Sequence, residues 1–255
     1  MKQPNGVIAA LDSQAGGTWM GMNTHGRLAA LTNVRTRTPL PETKQSRGQM
    51  VVNSLNPGSG TPDALLPDHE AKAYFAYHLV TCKNVFDDPP SLECEHCVPC
   101  SQRPPGSSDQ PTERHWSRVY ETISDSRWAC SNEGGNGHIS ASKWPKTTWL
   151  QREAAALVCA LAPDIRGEEG ARHVADLLGN CLSTSNSWTE EELPDMSFSP
   201  EGEARERALQ NGPYIDPTVA GALSNYGTQS QTIVIRSVSA RCVYYFYRST
   251  QGLSV

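Results

Sequence analysis

Six side chains near the start of the chain have the chemistry to line a polar pocket. Asparagine and arginine at strand ends can donate hydrogen bonds to a developing oxyanion, and an aspartate can orient a nucleophile. The same residue types also satisfy turns and backbone carbonyls, so a purely structural role stays open. The candidates are Asp12, Thr18, Trp19, Asn33, Arg35 and Arg47.

A second chemical pattern is a run of three cysteines at regular spacing. Cys94, Cys97 and Cys100 are separated by two residues each, and thiolates at this spacing can reach one tetrahedral Zn²⁺. A structural zinc site takes a fourth ligand, and the alternative is a loop with reduced thiols. The candidates for the fourth ligand are Cys82, His115 and Cys130. Zinc binding is therefore a secondary hypothesis.

The composition excludes several classes of partner. Of the 255 residues, 22 are Lys or Arg and 27 are Asp or Glu, which gives a formal net charge of −5. Broad nucleic-acid or anionic-membrane binding needs a basic face, so we expect no nucleic-acid partner. No apolar run approaches the ~18 residues of a membrane-spanning helix, so we expect no transmembrane segment. The eight cysteines lack a secretory context, which predicts reduced thiols and a cytoplasmic protein.

The elements that must position these side chains begin with a meander. Apolar runs of strand length are separated by glycine and asparagine, which predicts consecutive hairpins. A short helix over Arg47–Leu55 stops before the helix breaker at 56–58, and Tyr74–Thr81 is typical of another strand. The strands of the meander are Val7–Leu11, Thr18–Met22 and Leu28–Thr32.

The composition changes over residues 87–114, where prolines alternate with serine and aspartate. Such a stretch offers little apolar surface to offset the entropy of ordering, so it is predicted to be a Pro/Cys-rich flexible insertion. We expect its removal to change stability by less than about 1 kcal/mol. Short strands over Val119–Ile123 and Arg127–Ser131 are predicted to follow it.

Helices and then strands complete the chain. Lys146–Ala162 is rich in alanine and leucine, and Gly170–Leu182 carries one apolar stripe of an amphipathic helix. Thr232–Arg236 and Cys242–Tyr247 are β-branched and aromatic, joined by a short turn. Strands grouped apart from helices predict an α+β fold with antiparallel sheets rather than alternating βαβ units.

Several segments together resemble one known family. Residues 16–23 (GGTWMGMN) and 26–35 (GRLAALTNVR) are similar to a family block with the pattern GGTWLG followed by GR-AALTN-R, and residues 46–51 (SRGQMV) are similar to the SRG-LV that follows. The later matching segments are 130–132 (CSN), 144–146 (WPK) and 226–232 (YGTQSQT). The family is the NRDE family, also described as the transport and Golgi organization protein 2 family.

The resemblance implies a fold and a role. Members are regarded as having an N-terminal-nucleophile-hydrolase-like αββα sandwich. They are tied to Golgi organization, protein secretion, and haem and lipid homeostasis, in cytoplasmic, Golgi-associated or mitochondrial pools. The resemblance implies a haem or acyl-lipid ligand and secretory-pathway or mitochondrial protein partners. Haem is then expected as cargo, and no cofactor is required.

The motif match also refines the pocket candidates. Trp19 is expected to pack under the first hairpin. Asn33 and Arg35 are expected to line the mouth of the pocket, and the second matching segment adds Asn132.

The chain departs from the family pattern at its start. It begins Met1-Lys2, without the Met-Cys start and without the name-giving Asn-Arg-Asp-Glu, and Gln229 stands where arginine is usual. An N-terminal nucleophile uses its own α-amino group as base. We therefore expect a single domain over 1–255 that is shortened at its N-terminus, lacks a first strand and is not a hydrolase. The alternative is an N-terminal-nucleophile-type amidohydrolase or acyltransferase whose Cys nucleophile is missing from this chain.

Overall fold

The computed structural model describes residues 6–12, 16–34, 46–56, 74, 76–99, 116–123, 145–161, 166–184 and 230–249. The chain divides into two compact units. The first comprises Met1–Asp125 with Cys130–Ser140, and the second comprises Ser126–Ala129 with Ala141–Val255. The prediction of a single domain stays a prediction.

The first unit contains a six-stranded antiparallel sheet in which strands that follow each other along the chain also pair. The opening meander is confirmed, since β2 pairs with both β1 and β3. The strands are β1 (Val7–Ala9), β2 (Met20–Asn23), β3 (Leu28–Asn33), β4 (Tyr77–Cys82), β5 (Leu92–Pro99) and β6 (Trp116–Ile123).

One helix, α1 (Gly48–Leu55), completes the described part of this unit and agrees with the predicted helix. Its apolar side chains are buried with one face of the sheet, which we call the helix face. Strand alternation places every second residue on that face, so in β4 it carries Tyr77 and Leu79. The core comprises Val7, Ala9, Ala29, Leu31, Met50, Val51, Leu55, Tyr74, Tyr77, Leu79 and Cys97.

The flexible insertion predicted over residues 87–114 is wrong for its first part. Leu92–Pro99 form β5, which pairs with β4 on one side and β6 on the other. Side chains 94–97 of this strand are all buried. Pro89 and Pro90 precede the strand and Pro99 is its last residue, and proline is tolerated at such positions, so composition misled the prediction. Residues 100–114 lie outside the described residues.

The second unit contains two helices and a two-stranded sheet. The helices are α2 (Pro145–Leu161) and α3 (Gly167–Leu182), and the strands are β7 (Ser230–Ser237) and β8 (Cys242–Ser249). All four agree with the predicted elements. In α3 the predicted stripe faces inward at Ala171 and Val174, which are 1% and 3% exposed.

The predicted α+β class is confirmed, with antiparallel pairing in both described sheets. The predicted strand over Arg127–Ser131 lies outside the described residues. Across the parts of the chain that the structure describes, no helix has the length and apolar character to cross a membrane.

Candidate functional site

Two of the motif pieces, 16–23 and 46–51, meet where the N-terminus of α1 packs against the loop before β2. The backbone N–H of Thr18 donates to the carbonyl of Gly48 at 3.2 Å. A Cβ placed on Gly17 would lie 2.6 Å from Gly48 Cα, and one on Gly48 would lie 2.8 Å from the Thr18 nitrogen. Real side chains do not approach backbone atoms so closely, which explains why glycine occurs in both pieces. We call this contact the glycine crossing.

Two predicted pocket residues use their polar atoms to build the loop at this crossing. Thr18 is 1% exposed, and its hydroxyl donates to the carbonyl of Met20 at 3.0 Å. The backbone of Asp12 closes the same loop, since its N–H donates to the carbonyl of Gly17 at 2.8 Å and its carbonyl accepts from Gly16 at 2.9 Å. Thr18 therefore has a structural role, because its polar atoms bond to the backbone around this loop.

Arg47, directly before α1, fastens the helix to the sheet. Its Nη1 donates to the carbonyl of Ala76 at 2.9 Å, and the same carbonyl accepts from the N–H of Val34 at 3.0 Å. Burial lowers the pKa of Arg47 to about 10, because a charged guanidinium loses hydration there. The side chain is still a cation at neutral pH.

Asn33 closes β3 on the helix face, directly opposite Tyr77 of β4. Its Oδ1 is buried and has no hydrogen-bond partner among the described residues. The other pocket candidates Arg35 and Asn132 lie outside the described residues, so the shared pocket of these residues with Asn33 stays a prediction.

The expectation that Trp19 packs under the first hairpin is wrong. Its side chain is 46% exposed. The residue is held by its backbone, because its carbonyl accepts from the N–H of Leu31 at 2.8 Å. Trp19 follows Thr18 and Arg47 precedes Gly48, so an exposed aromatic ring and a half-buried cation flank the glycine crossing.

The predicted zinc site does not fit the strand that carries it. Cys94 pairs with Val80 and Cys97 pairs with Tyr77. Residues three apart in a strand point to opposite faces, and only Cys97 belongs to the core shared with α1. The two thiols therefore cannot bind one tetrahedral ion while β5 is intact. Cys100 lies outside the described residues, and in the described parts no three His, Cys, Asp or Glu side chains form a metal-binding group.

Sequence reasoning missed a buried polar pair on the helix face. The hydroxyl of Tyr77 donates to Glu95 Oε1 at 2.6 Å, and both side chains are 0% exposed. Glu95 was assigned to a loop in the prediction, so nothing pointed to a buried acid. The strand-like alternation of apolar and polar residues within 92–97 is the signal that could have placed Glu95 in a strand.

Asn23 was expected only in a turn, but it also organises the opposite end of α1. Its Oδ1 accepts from the N–H groups of His25 and Arg27 at 2.9 and 3.0 Å. Its Nδ2 donates to the carbonyl of Leu55 at 2.8 Å. One buried amide therefore forms the β2–β3 turn and satisfies a carbonyl at the helix C-terminus. An asparagine immediately before a turn was the available signal.

Comparison with known proteins agrees with the motif resemblance. The model of the family described as Transport and Golgi organisation 2 matches residues 1–248 of the 255. A comparison with curated proteins finds no match. Since the family match covers nearly the whole chain, including the motif pieces at the glycine crossing, the chain belongs to the transport and Golgi organisation 2 family.

Proposed function

We propose that this chain is a ligand-binding factor that acts in Golgi organization, protein secretion and haem and lipid homeostasis, without hydrolysing its ligand. The observation that carries the proposal is membership of the transport and Golgi organisation 2 family over residues 1–248. Its setting is the cytoplasm with Golgi-associated or mitochondrial pools, and its partners are secretory-pathway or mitochondrial proteins.

The ligand in this proposal is haem or an acyl lipid, and the chemistry at the glycine crossing supports it. Trp19 offers an exposed aromatic surface. Arg47 offers a cation whose pKa stays near 10. Haem and acyl-CoA both combine an apolar body with acidic groups, so both could use this combination of side chains.

We also propose that the chain has an N-terminal-nucleophile-hydrolase-like αββα fold. The support is that β4 and β5 are buried on both faces. Leu79 and Glu95 are buried on the helix face, and Val80 and Cys94 are buried on the opposite face. A sheet with one solvated face would alternate buried and exposed residues. Burial on both faces is the pattern of a sheet between two layers.

Haem transfer tests the proposed function. Purified protein is loaded with haemin, and transfer to an apo-peroxidase is followed by the Soret band and by recovered peroxidase activity. Binding of a long-chain acyl-CoA is measured in parallel. We expect saturable binding of one of the two ligands. Weak transfer equal to that of serum albumin, with no saturable binding of either ligand, would contradict the proposal.

A matched pair of variants tests the place of binding. We expect Trp19→Ala to weaken binding about tenfold, equivalent to about 1.4 kcal/mol. Phe86→Ala is the control, because Phe86 is an aromatic residue of the same unit with similar exposure, 43% against 46%. Equal affinity of both variants would place the ligand elsewhere. Multiple turnovers of an amide or thioester substrate would favour the amidohydrolase or acyltransferase alternative.

A further inference from the structure

An apolar row on the helix face of the first sheet leaves the core at β2. Leu31 of β3 lies opposite Leu79 of β4, and both are buried with α1, at 6% and 1% exposure. Directly before β2, the carbonyl of Trp19 accepts from the N–H of Leu31 at 2.8 Å. Trp19 is 46% exposed, so the row continues from the core into solvent.

Leu11 extends the same row by one more strand. Ala9 of β1 pairs with Gly21 of β2, and the same register continued by two residues places Leu11 opposite Trp19. Ala9 belongs to the core shared with α1, so strand alternation puts Leu11 on the helix face as well. Leu11 is 50% exposed. Two large apolar side chains are therefore exposed on neighbouring strand ends, next to the core.

The backbone on both sides of this pair is held by hydrogen bonds. Asp12, which follows Leu11, donates its N–H to the carbonyl of Gly17 at 2.8 Å, and Trp19 is bonded to Leu31. A surface that is already ordered loses little conformational entropy when a ligand binds. We call Leu11 and Trp19 the apolar pair.

The cation of the proposed ligand site lies at the same end of the sheet. The strands are antiparallel, so β1 ends, β2 begins, β3 ends and β4 begins there. Arg47 reaches this end, where it donates to the carbonyl of Ala76 directly before β4. Neighbouring strands are about 5 Å apart, so Trp19 is about 10 Å from Arg47 across the sheet and Leu11 is one strand farther away.

This arrangement favours a ligand with one hydrocarbon chain and an acidic head. A stable protein partner would cover about 800 Å² on each side, which is far more than two half-exposed side chains supply. Haem iron is usually held by His or Cys, and the described residues next to the apolar pair, 6–12, 16–24 and 46–56, contain neither. A narrow apolar strip that leads away from a cation fits an acyl chain.

We propose that Leu11 and Trp19 hold the hydrocarbon chain of an acyl ligand whose carboxyl end faces Arg47, so that Leu11 determines the preferred chain length. This inference rests on the proposed function and selects the acyl ligand from its two candidates. Each buried methylene group strengthens binding by up to about fourfold. A longer chain reaches Leu11, whereas a short one extends only to Trp19.

The test measures the affinity of the full chain for hexanoate, octanoate, decanoate and dodecanoate by isothermal titration calorimetry, below their micelle concentrations. In the wild type, affinity should rise about two- to fourfold with each added methylene group. Leu11→Ala should weaken dodecanoate binding about fivefold and hexanoate binding less than twofold, and Leu11→Met should restore the wild-type dependence. Val158→Ala is the control, because Val158 of the second unit is also aliphatic and exposed, 44% against 50%.

The outcomes separate this inference from the proposed function. A wild type that binds neither fatty acids, acyl-CoA nor haemin would contradict both. Saturable binding of any of them, with the same chain-length dependence in Leu11→Ala as in the wild type or with none in either, would overturn this inference alone. Sedimentation with phosphatidylcholine vesicles that is lost in Leu11→Ala, without chain-length dependence in solution, would assign the apolar pair to a membrane surface and would also overturn it.

Discussion

Arg248 and Gly179 are joined by a short hydrogen bond that ties the last strand to the end of α3. Nη2 of Arg248 donates to the carbonyl of Gly179 at 2.6 Å. The same guanidinium donates to the hydroxyl of Ser183 at 2.7 Å and, through Nε, to Gln231 Oε1 at 2.8 Å. A Cβ on Gly179 would lie 3.0 Å from Nη2. The missing side chain therefore lets a cation approach the negative end of the helix dipole.

This relationship predicts energetic coupling between the two positions. Alanine is favoured over glycine in a helix by about 1 kcal/mol, but in the wild type it would push the guanidinium away from its acceptors. We therefore expect Gly179→Ala in the wild type to give no net increase in the free energy of unfolding. Arg248→Met should lower that free energy by about 1.5–3 kcal/mol, because it removes charged hydrogen bonds. In the Arg248→Met background, Gly179→Ala should become stabilising. Denaturant unfolding of the four proteins measures the coupling, and strictly additive effects would contradict it.

The glycine crossing predicts a different outcome for two adjacent glycines. Gly17→Ala introduces a Cβ that meets the backbone of Gly48, and we expect it to cost at least about 2 kcal/mol because backbone cannot move aside as a side chain can. Gly16 has φ +75° and open space around it, so Gly16→Asn should cost less than about 1 kcal/mol, since asparagine tolerates this conformation. Thermal unfolding compares the two variants, and equal losses would show that the crossing is not rigid.

The buried pair of Tyr77 and Glu95 predicts a large effect from removing one oxygen. Tyr77→Phe keeps the ring and deletes the hydroxyl that donates to Glu95 at 2.6 Å. We expect a loss of about 1–3 kcal/mol, because a buried acceptor then loses a hydrogen bond that water cannot replace. Tyr247→Phe is the matched control, since Tyr247 is 52% exposed, and it should cost less than about 0.5 kcal/mol. Similar midpoints for the two variants in urea would contradict this assignment.

Two cysteines of the second unit should differ in reactivity. Burial, with the nearby Glu153 as a second cause, raises the pKa of Cys181. Cys159 is exposed on α2. The thiolate is the reactive form, so iodoacetamide at pH 8 should modify Cys159 first. Removing the negative charge in Glu153→Gln should lower the Cys181 pKa and speed its modification, whereas Glu168→Gln should not. Peptide mapping over time measures both rates, and faster modification of Cys181 in the wild type would contradict the prediction.

Local patterns in the sequence were enough to predict most of the described elements. The meander, α1 and the closing hairpin depend on apolar periodicity and turn residues within a few positions, which are visible without the fold. The family resemblance rested on equally local blocks, such as 16–23 and 46–51, and the family match over 1–248 agrees with it.

Only the tertiary structure decided what the polar residues do. Cys94, Glu95, His96 and Cys97 follow one another in the chain, but β5 sends alternate side chains to opposite faces. This separates the two thiols, pairs Glu95 with Tyr77 and pairs His96 with His78. Which strand lies beside β5, and in which register, depends on contacts between residues far apart in the sequence. Spacing along the chain determines the face that a residue occupies, whereas the neighbouring strand determines its chemical partner.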